Sequence, residues 1–230
     1  MEAPASHGAP TGEPRWHHAV GAIGVALLLG GSAWGLLGAP SEKYMGNVQR
    51  IMYVHVPTAW IALLCFTFAL VCAVGWMWTT RWRWDSLLEG AVEVGTVLGA
   101  LLLCQGSIWA KPTWDTWWSW DPRLTSSAVM VLMFAGILAL RSFLDDPKKR
   151  ADLSAVSTII AYVNIPIVYF SVRWWNSLHQ LQSSPKTVDA TMVFPLRINA
   201  FAMLFIATWF IVTRMILAQR RLARELEDAP

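Results

Sequence analysis

Charge is what this sequence has least of: 14 % of its 230 residues are Asp, Glu, Lys or Arg, against 55 % that are hydrophobic. A typical soluble domain is about a quarter charged, so a chain living wholly in water is excluded. The formal net charge is +3, and Lys and Arg are scattered over many short segments. No dense basic patch exists to hold a nucleic acid or another polyanion. Cysteine is scarce too. Cys65, Cys72 and Cys104 all fall inside apolar stretches, where a reduced, packed thiol is expected and a disulfide framework is not. Neither an internal repeat nor a second, polar domain interrupts the pattern.

Long apolar runs take the place of what is missing. They come in blocks of roughly 20 residues, the length a helix needs to cross about 30 Å of hydrocarbon. The first spans about 19–39 and exceeds the roughly 7 to 15 apolar residues of a secretory signal, so an uncleaved span is expected. Five more follow at about 56–78, 87–109, 125–143, 153–172 and 200–217. The expected fold is all-α: a bundle of six transmembrane helices within 19–218, in contact with the lipid bilayer. A Pro-, Gly- and Ala-rich tail at 1–18, expected to be mobile, precedes it, and a short tail at 219–230 follows. His7, His17 and His18 in the first tail read as solvated side chains or weak metal binders.

An even number of spans puts both termini on one side. That side also holds the compact turn Asp145-Asp146-Pro147-Lys148-Lys149-Arg150 and the larger share of Lys and Arg, so the positive-inside rule makes it cytoplasmic. Three longer loops, about 40–55, 110–124 and 173–199, then face outside, and loops are where binding residues concentrate.

Each outer loop carries something unusual. The chain has fifteen Trp, and five of them fall within Trp109–Trp120. Interfacial anchoring accounts for a Trp excess at membrane boundaries, but one or two rings per boundary suffice for that. A row of indoles beside Asp121 and Arg123 suits a large planar apolar ligand; a dense interfacial belt is the alternative. His55 lies in Tyr53-Val54-His55-Val56-Pro57 at the outer end of the second span, with Pro57 expected in the first helical turn, where its missing N–H costs nothing. His179 lies in Arg173-Trp174-Trp175-Asn176-Ser177-Leu178-His179-Gln180, just outside the fifth span. Each alone is equally an ordinary interfacial histidine. On one side and at one depth, the pair suits axial ligation of heme iron, with the Trp row along the macrocycle. A closed zinc site fits less well, because the outer loops offer no Cys and only these two His. Arg50, Arg123 and Arg173 share that side and could pair with heme propionates or with lipid phosphates.

Two polar features lie deeper. Glu89 and Glu93, one helical turn apart near the inner end of the third span, could mark a proton or ion path. The plainer expectation is that they reach the inner boundary or pair with Arg81 or Arg83. Asn164 and Pro166 in the fifth span are expected to mark a kink, with the amide satisfying freed backbone groups.

The segment Trp114-Asp115-Thr116-Trp117-Trp118-Ser119-Trp120-Asp121-Pro122-Arg123-Leu124-Thr125 resembles the WWD signature of heme-handling proteins of cytochrome c maturation. With the six spans, the chain length and the two histidine segments, the sequence resembles the heme exporter protein C family over about residues 20–220. The resemblance implies a bacterial inner-membrane protein that presents heme b, iron protoporphyrin IX, as cargo at the periplasmic face. It implies a WWD loop at 106–125 with Trp114, Trp117, Trp118, Trp120, Asp121 and Arg123 as heme-binding residues, and His55 and His179 as axial ligands. Implied partners are a membrane-anchored periplasmic heme chaperone that receives the heme, a small one-span subunit and an ATP-binding-cassette transporter. The sequence departs from the family pattern at Ala110 and Asp115, where glycine is expected, and at Pro122, where a small residue is more usual. The resemblance implies a carrier and not an enzyme. The alternatives are a cytochrome c heme lyase, whose relatives are larger or carry extra histidines, and a b-type electron-transfer cytochrome, whose ligands usually face each other within the spans.

Overall fold

The computed structural model describes residues 15–180 and 188–228, and every regular element among them is a helix. The tail up to residue 14, with His7, lies outside the described residues, as does the outer-loop stretch 181–187. The helices are α1 (Trp16–Ala33), α2 (Met52–Thr79), α3 (Trp82–Trp114), α4 (Pro122–Ser142), α5 (Pro147–Tyr162), α6 (Asn164–Trp174) and α7 (Ala190–Glu227). One π-helical turn, Trp34–Gly38, extends α1, and a 3-10 turn, Asn47–Ile51, leads into α2. With α5 and α6 continuous as Pro147–Trp174, six stretches are long and apolar enough to cross a membrane. The chain is a multi-pass, all-α membrane protein.

The helices run beyond the apolar blocks: α3 continues to Trp114, and α7 starts at Ala190 and ends at Glu227. Hydropathy registers only the part of a helix that lies in hydrocarbon, whereas backbone hydrogen bonding carries the helix on into the polar boundary. Two helix starts are written in sequence as Asp-Pro. At α4 the Asp121 carboxylate accepts the Arg123 N–H, and at α5 the Asp146 carboxylate accepts the N–H groups of Lys148 and Lys149, each with proline at the first helical position.

The core is built around α2, whose Ala62, Cys65, Phe66, Ala69, Cys72 and Ala73 are buried. Phe66 stacks on Phe134 of α4 with ring centroids 3.9 Å apart. Close approach here depends on Gly95 of α3, where a Cβ would meet the Phe66 ring at 2.7 Å. Cys65 and Cys72 are free and packed in this core, as expected, and Cys104 is free on an exposed face.

Three expectations change. His17, expected to be a solvated tail residue, lies within α1 and is 2 % exposed. Pro57 is the sixth residue of α2, because the helix starts at Met52, and so it lies inside the helix. Glu89 and Glu93 do not pair with Arg81 or Arg83, which sit exposed at the very start of α3. Glu89 points into the bundle, where Arg141 of α4 and Arg221 of α7 both donate to it at 2.6 Å, and Glu93 is gripped by Arg214. Arg141 also donates to both oxygens of Asp85, at 2.7 and 3.1 Å, and Arg150 of α5 pairs with Glu225 of α7. These pairs clasp α3, α4, α5 and α7 at the end of the bundle opposite the histidines. Asn164 does mark the break between α5 and α6, but its amide donates to the Ser126 carbonyl of α4, at 2.9 Å.

Candidate functional site

At the other end, α2, α3, α4, α6 and the segment after α6 surround a cavity of about 470 Å³. His55 and His179 both line it, with Trp60, Trp109, Trp114 and Trp118, and with Arg123 and Arg173. Its deeper lining is apolar, including Leu63, Leu103, Met130 and Val168. That volume lies within the roughly 300–1,000 Å³ typical of small-molecule and cofactor sites.

His55 comes from α2 and is 8 % exposed. Its ring meets the Trp109 indole edge-on, centroids 5.4 Å apart at 83°. On the next turn of α3, Gly106 gives the imidazole clearance: a Cβ there would lie 3.3 Å from His55 Cε1. Among the described residues, His55 Nδ1 and Trp109 Nε1 are buried without a hydrogen-bond partner. A buried, unpaired imidazole nitrogen beside an apolar cavity is costly unless a ligand completes it.

His179 belongs to the irregular segment after α6. Its Nδ1 is 2.8 Å from the Gln180 carbonyl oxygen. A carbonyl only accepts, so Nδ1 carries the proton in the neutral ring and Nε2 keeps its lone pair for a metal. Burial against the site lowers the His179 pKa, and the nearby Arg123 adds to that, against the raising influence of the Gln180 hydrogen bond and Asp121. The neutral, ligating form is therefore favoured. Trp114 stands edge-on to the imidazole at 6.5 Å.

The Trp loop begins where α3 ends. Asp115 has φ +55°, a left-handed conformation that glycine adopts at least cost and Asp tolerates. Ser107 of α3 donates to the Trp117 carbonyl at 2.6 Å, and Thr116 donates to the Trp118 carbonyl at 2.8 Å. The loop so held divides its indoles. Trp114 and Trp118 line the cavity. Trp117 and Trp120 do not; they are 58 % and 83 % exposed.

Asp121 is buried and lies off the cavity. Besides capping α4, its carboxylate accepts from Ser177 Oγ at 3.0 Å and from the Leu178 N–H at 2.7 Å. It therefore fastens the segment that carries His179. Arg123 donates to Ser171 Oγ at 2.8 Å and to the Tyr169 carbonyl at 3.1 Å, tying α4 to α6 at the cavity margin. Arg173 lies over the Phe170 ring. Arg50 is off the cavity; it donates to the carbonyls of Gly35 and Leu36, in the π-helical turn that follows α1.

Of the residues singled out in sequence, His55, His179, Trp109, Trp114, Trp118, Arg123 and Arg173 meet at one cavity, and Arg50, Trp117, Trp120 and Asp121 stand outside it. Trp60 and Gly106 also line it, without having been singled out. A single indole inside an apolar run, and a glycine opposite a histidine, leave no sequence signal.

The family profile described as heme exporter protein C matches residues 10–228. The chain is 37 % identical to the heme exporter protein C of Haemophilus influenzae over 194 residues, covering 82 % of this chain and 78 % of that protein. It is 34 % identical to the protein of the same name from Escherichia coli K12 over 193 residues, 83 % and 78 % of the two chains. It is also 35 % identical over 184 residues, 78 % of each, to a putative cytochrome c biosynthesis ccmC-like mitochondrial protein of Marchantia polymorpha.

Proposed function

The chain belongs to the heme exporter protein C family, and on that premise we propose that it takes up heme as cargo between His55 and His179 and delivers it for c-type cytochrome biogenesis. The observation that carries this reading is the convergence of two imidazoles on one Trp-walled cavity. His55 and His179 hold the iron of iron protoporphyrin IX from opposite faces. Trp114 and Trp118 lie along the macrocycle, and Arg123 and Arg173 offer positive charge to the propionates. Asp121 keeps the His179 segment in place. Trp117 and Trp120, exposed beside the cavity, are the surface that a receiving protein meets first.

The histidine end is periplasmic and both termini are cytoplasmic in a bacterial inner membrane. The basic turn between α4 and α5, at the opposite end from the histidines, supports that orientation. The receiver is a membrane-anchored periplasmic heme chaperone, and a one-span subunit and an ATP-binding-cassette transporter complete the system. The protein carries heme and does not form the thioether bonds itself.

Purified protein loaded with heme gives a Soret band characteristic of low-spin, two-imidazole iron. His55→Ala and His179→Ala each remove that signature and impair transfer to the chaperone. Retention of the parental spectrum and transfer in both variants would defeat the reading. Covalent attachment of heme to an apocytochrome carrying Cys-x-x-Cys-His by the isolated protein would replace it with the lyase alternative.

A further inference from the structure

Proline inside a helix leaves a carbonyl without its donor. In α2 the oxygen of Tyr53 would receive the N–H of residue 57, and Pro57 has none. Tyr53 is almost wholly buried, and water is not at hand to replace that bond.

The replacement comes from a residue 146 positions away. The side-chain amide of Asn199, on α7, donates to the Tyr53 carbonyl at 2.7 Å. Asn199 is 0 % exposed. The amide also lies 3.4 Å from Ser32 Oγ of α1, and Gly31 makes room for it, since a Cβ there would run into Asn199 Oδ1. The same tyrosine is held at its hydroxyl, which accepts from Gln49 Nε2 at 3.2 Å. The first turn of α2 is thus pinned through Tyr53 at both backbone and side chain.

His55 is two residues further along that turn. Its ring is flanked by the Trp109 edge and by Gly106, and its Nδ1 has no hydrogen-bond partner among the described residues. No bond at Nδ1 sets the ring's direction, which is left to the α3 wall and to the backbone that carries the side chain. We propose that Asn199 is the positioning residue of His55, supplying the donor that Pro57 removes and so fixing where this imidazole stands in the cavity. Asn199 touches no cargo. The inference rests on His55 being an iron ligand, as proposed above.

Three variants of the full-length protein test it: Asn199→Leu, Pro57→Ala and the two combined. The heme-free protein is read by hydrogen exchange over residues 52–58, and the heme-loaded protein by its visible spectrum. Asn199→Leu accelerates exchange at the amides following Tyr53 by about tenfold, and part of the low-spin signature passes to high-spin iron. Adding Pro57→Ala restores an N–H to the ladder and returns both readouts toward the parent. A merely structural role of Asn199 in packing α7 would not be rescued by a change in α2.

The proposal is overturned if Asn199→Leu leaves exchange and spectrum unchanged, or if it perturbs them equally with proline or alanine at 57. Should Asn199→Leu fail to accumulate, the double variant must accumulate and bind heme in the parental manner; its failure overturns the proposal as well. The exchange measurement needs no heme, so the pinning of the turn is judged even if His55→Ala disproves the ligand.

Discussion

The carboxylate of Asp121 accepts the backbone N–H of Leu178 at 2.7 Å, one residue before His179 and 57 positions away in the chain. In the Trp-rich motif this aspartate stands among rings that suit a planar ligand, yet it serves the segment that presents a histidine. Asp121→Asn substitutes a neutral amide for the carboxylate and weakens the grip on Leu178. Bonds to a charged acceptor are worth roughly 1.5–3 kcal/mol, so heme affinity should fall by about tenfold or more. The low-spin signature should diminish, with less change in protein yield. Heme titration of parent and variant measures both.

The four indoles of the loop should separate into two classes. Trp114→Ala and Trp118→Ala remove lining of the cavity and are expected to weaken heme binding, because a buried ring contact is worth about 1 kcal/mol beyond its area. Trp117→Ala and Trp120→Ala should leave the equilibrium affinity within about twofold of the parent, as changes at exposed positions usually do, and slow transfer to the chaperone. Binding titrations beside stopped-flow transfer resolve the classes. Equal loss of affinity in all four would show that the exposed pair also touches the cargo.

Gly106 provides a graded probe of His55. With a Cβ 3.3 Å from the imidazole Cε1, Gly106→Ala demands a shift of a few tenths of an ångström and should lower heme affinity slightly. Gly106→Val adds two further methyl groups beside the ring and should abolish low-spin ligation. Visible spectra of the two variants, with circular dichroism as a check on helix content, test the gradient.

Arg141 answers Asp85 and Glu89 with all three side chains almost wholly buried. Arg141→Met leaves two carboxylates without their common partner and should destabilise the protein by about 3–5 kcal/mol, the cost of breaking a buried pair from one side. Combining it with Asp85→Asn and Glu89→Gln should recover much of that loss. Thermal unfolding in detergent measures it, and the heme spectrum of each folded variant should stay parental, since this cluster sits at the opposite end of the bundle.

What could be read from the sequence follows from how far each signal reaches along the chain. Six spans were legible because hydrocarbon demands a long apolar run for each, whatever its neighbours. Helix ends were not, because α3 and α7 continue where hydropathy stops. His55 and His179 stood out as two histidines expected at one end of the spans, yet a common cavity is a matter of tertiary packing. The different placements of Trp118 and Trp120 were invisible, since the direction of an indole depends on the left-handed turn at Asp115 and on Ser107 and Thr116 holding carbonyls. Pro57 was misplaced because the 3-10 turn at Asn47–Ile51 lets α2 begin at Met52, earlier than the apolar pattern suggests. The partners of Glu89 lie 52 and 132 residues away, beyond any reading of local spacing.

The two histidines have separate supports. His55 answers to α2, α3 and α7, through Tyr53, Gly106 and Asn199. His179 answers to α4 and α6, through Asp121, Arg123 and Ser171. A ligand bonded to both imidazoles is therefore a rivet between two walls, and the spacing of those walls sets how tightly it is held. If heme is held between them as proposed, widening that gap while both supports stay folded would loosen it, and α4 or α6 would be where a receiving protein could act on release.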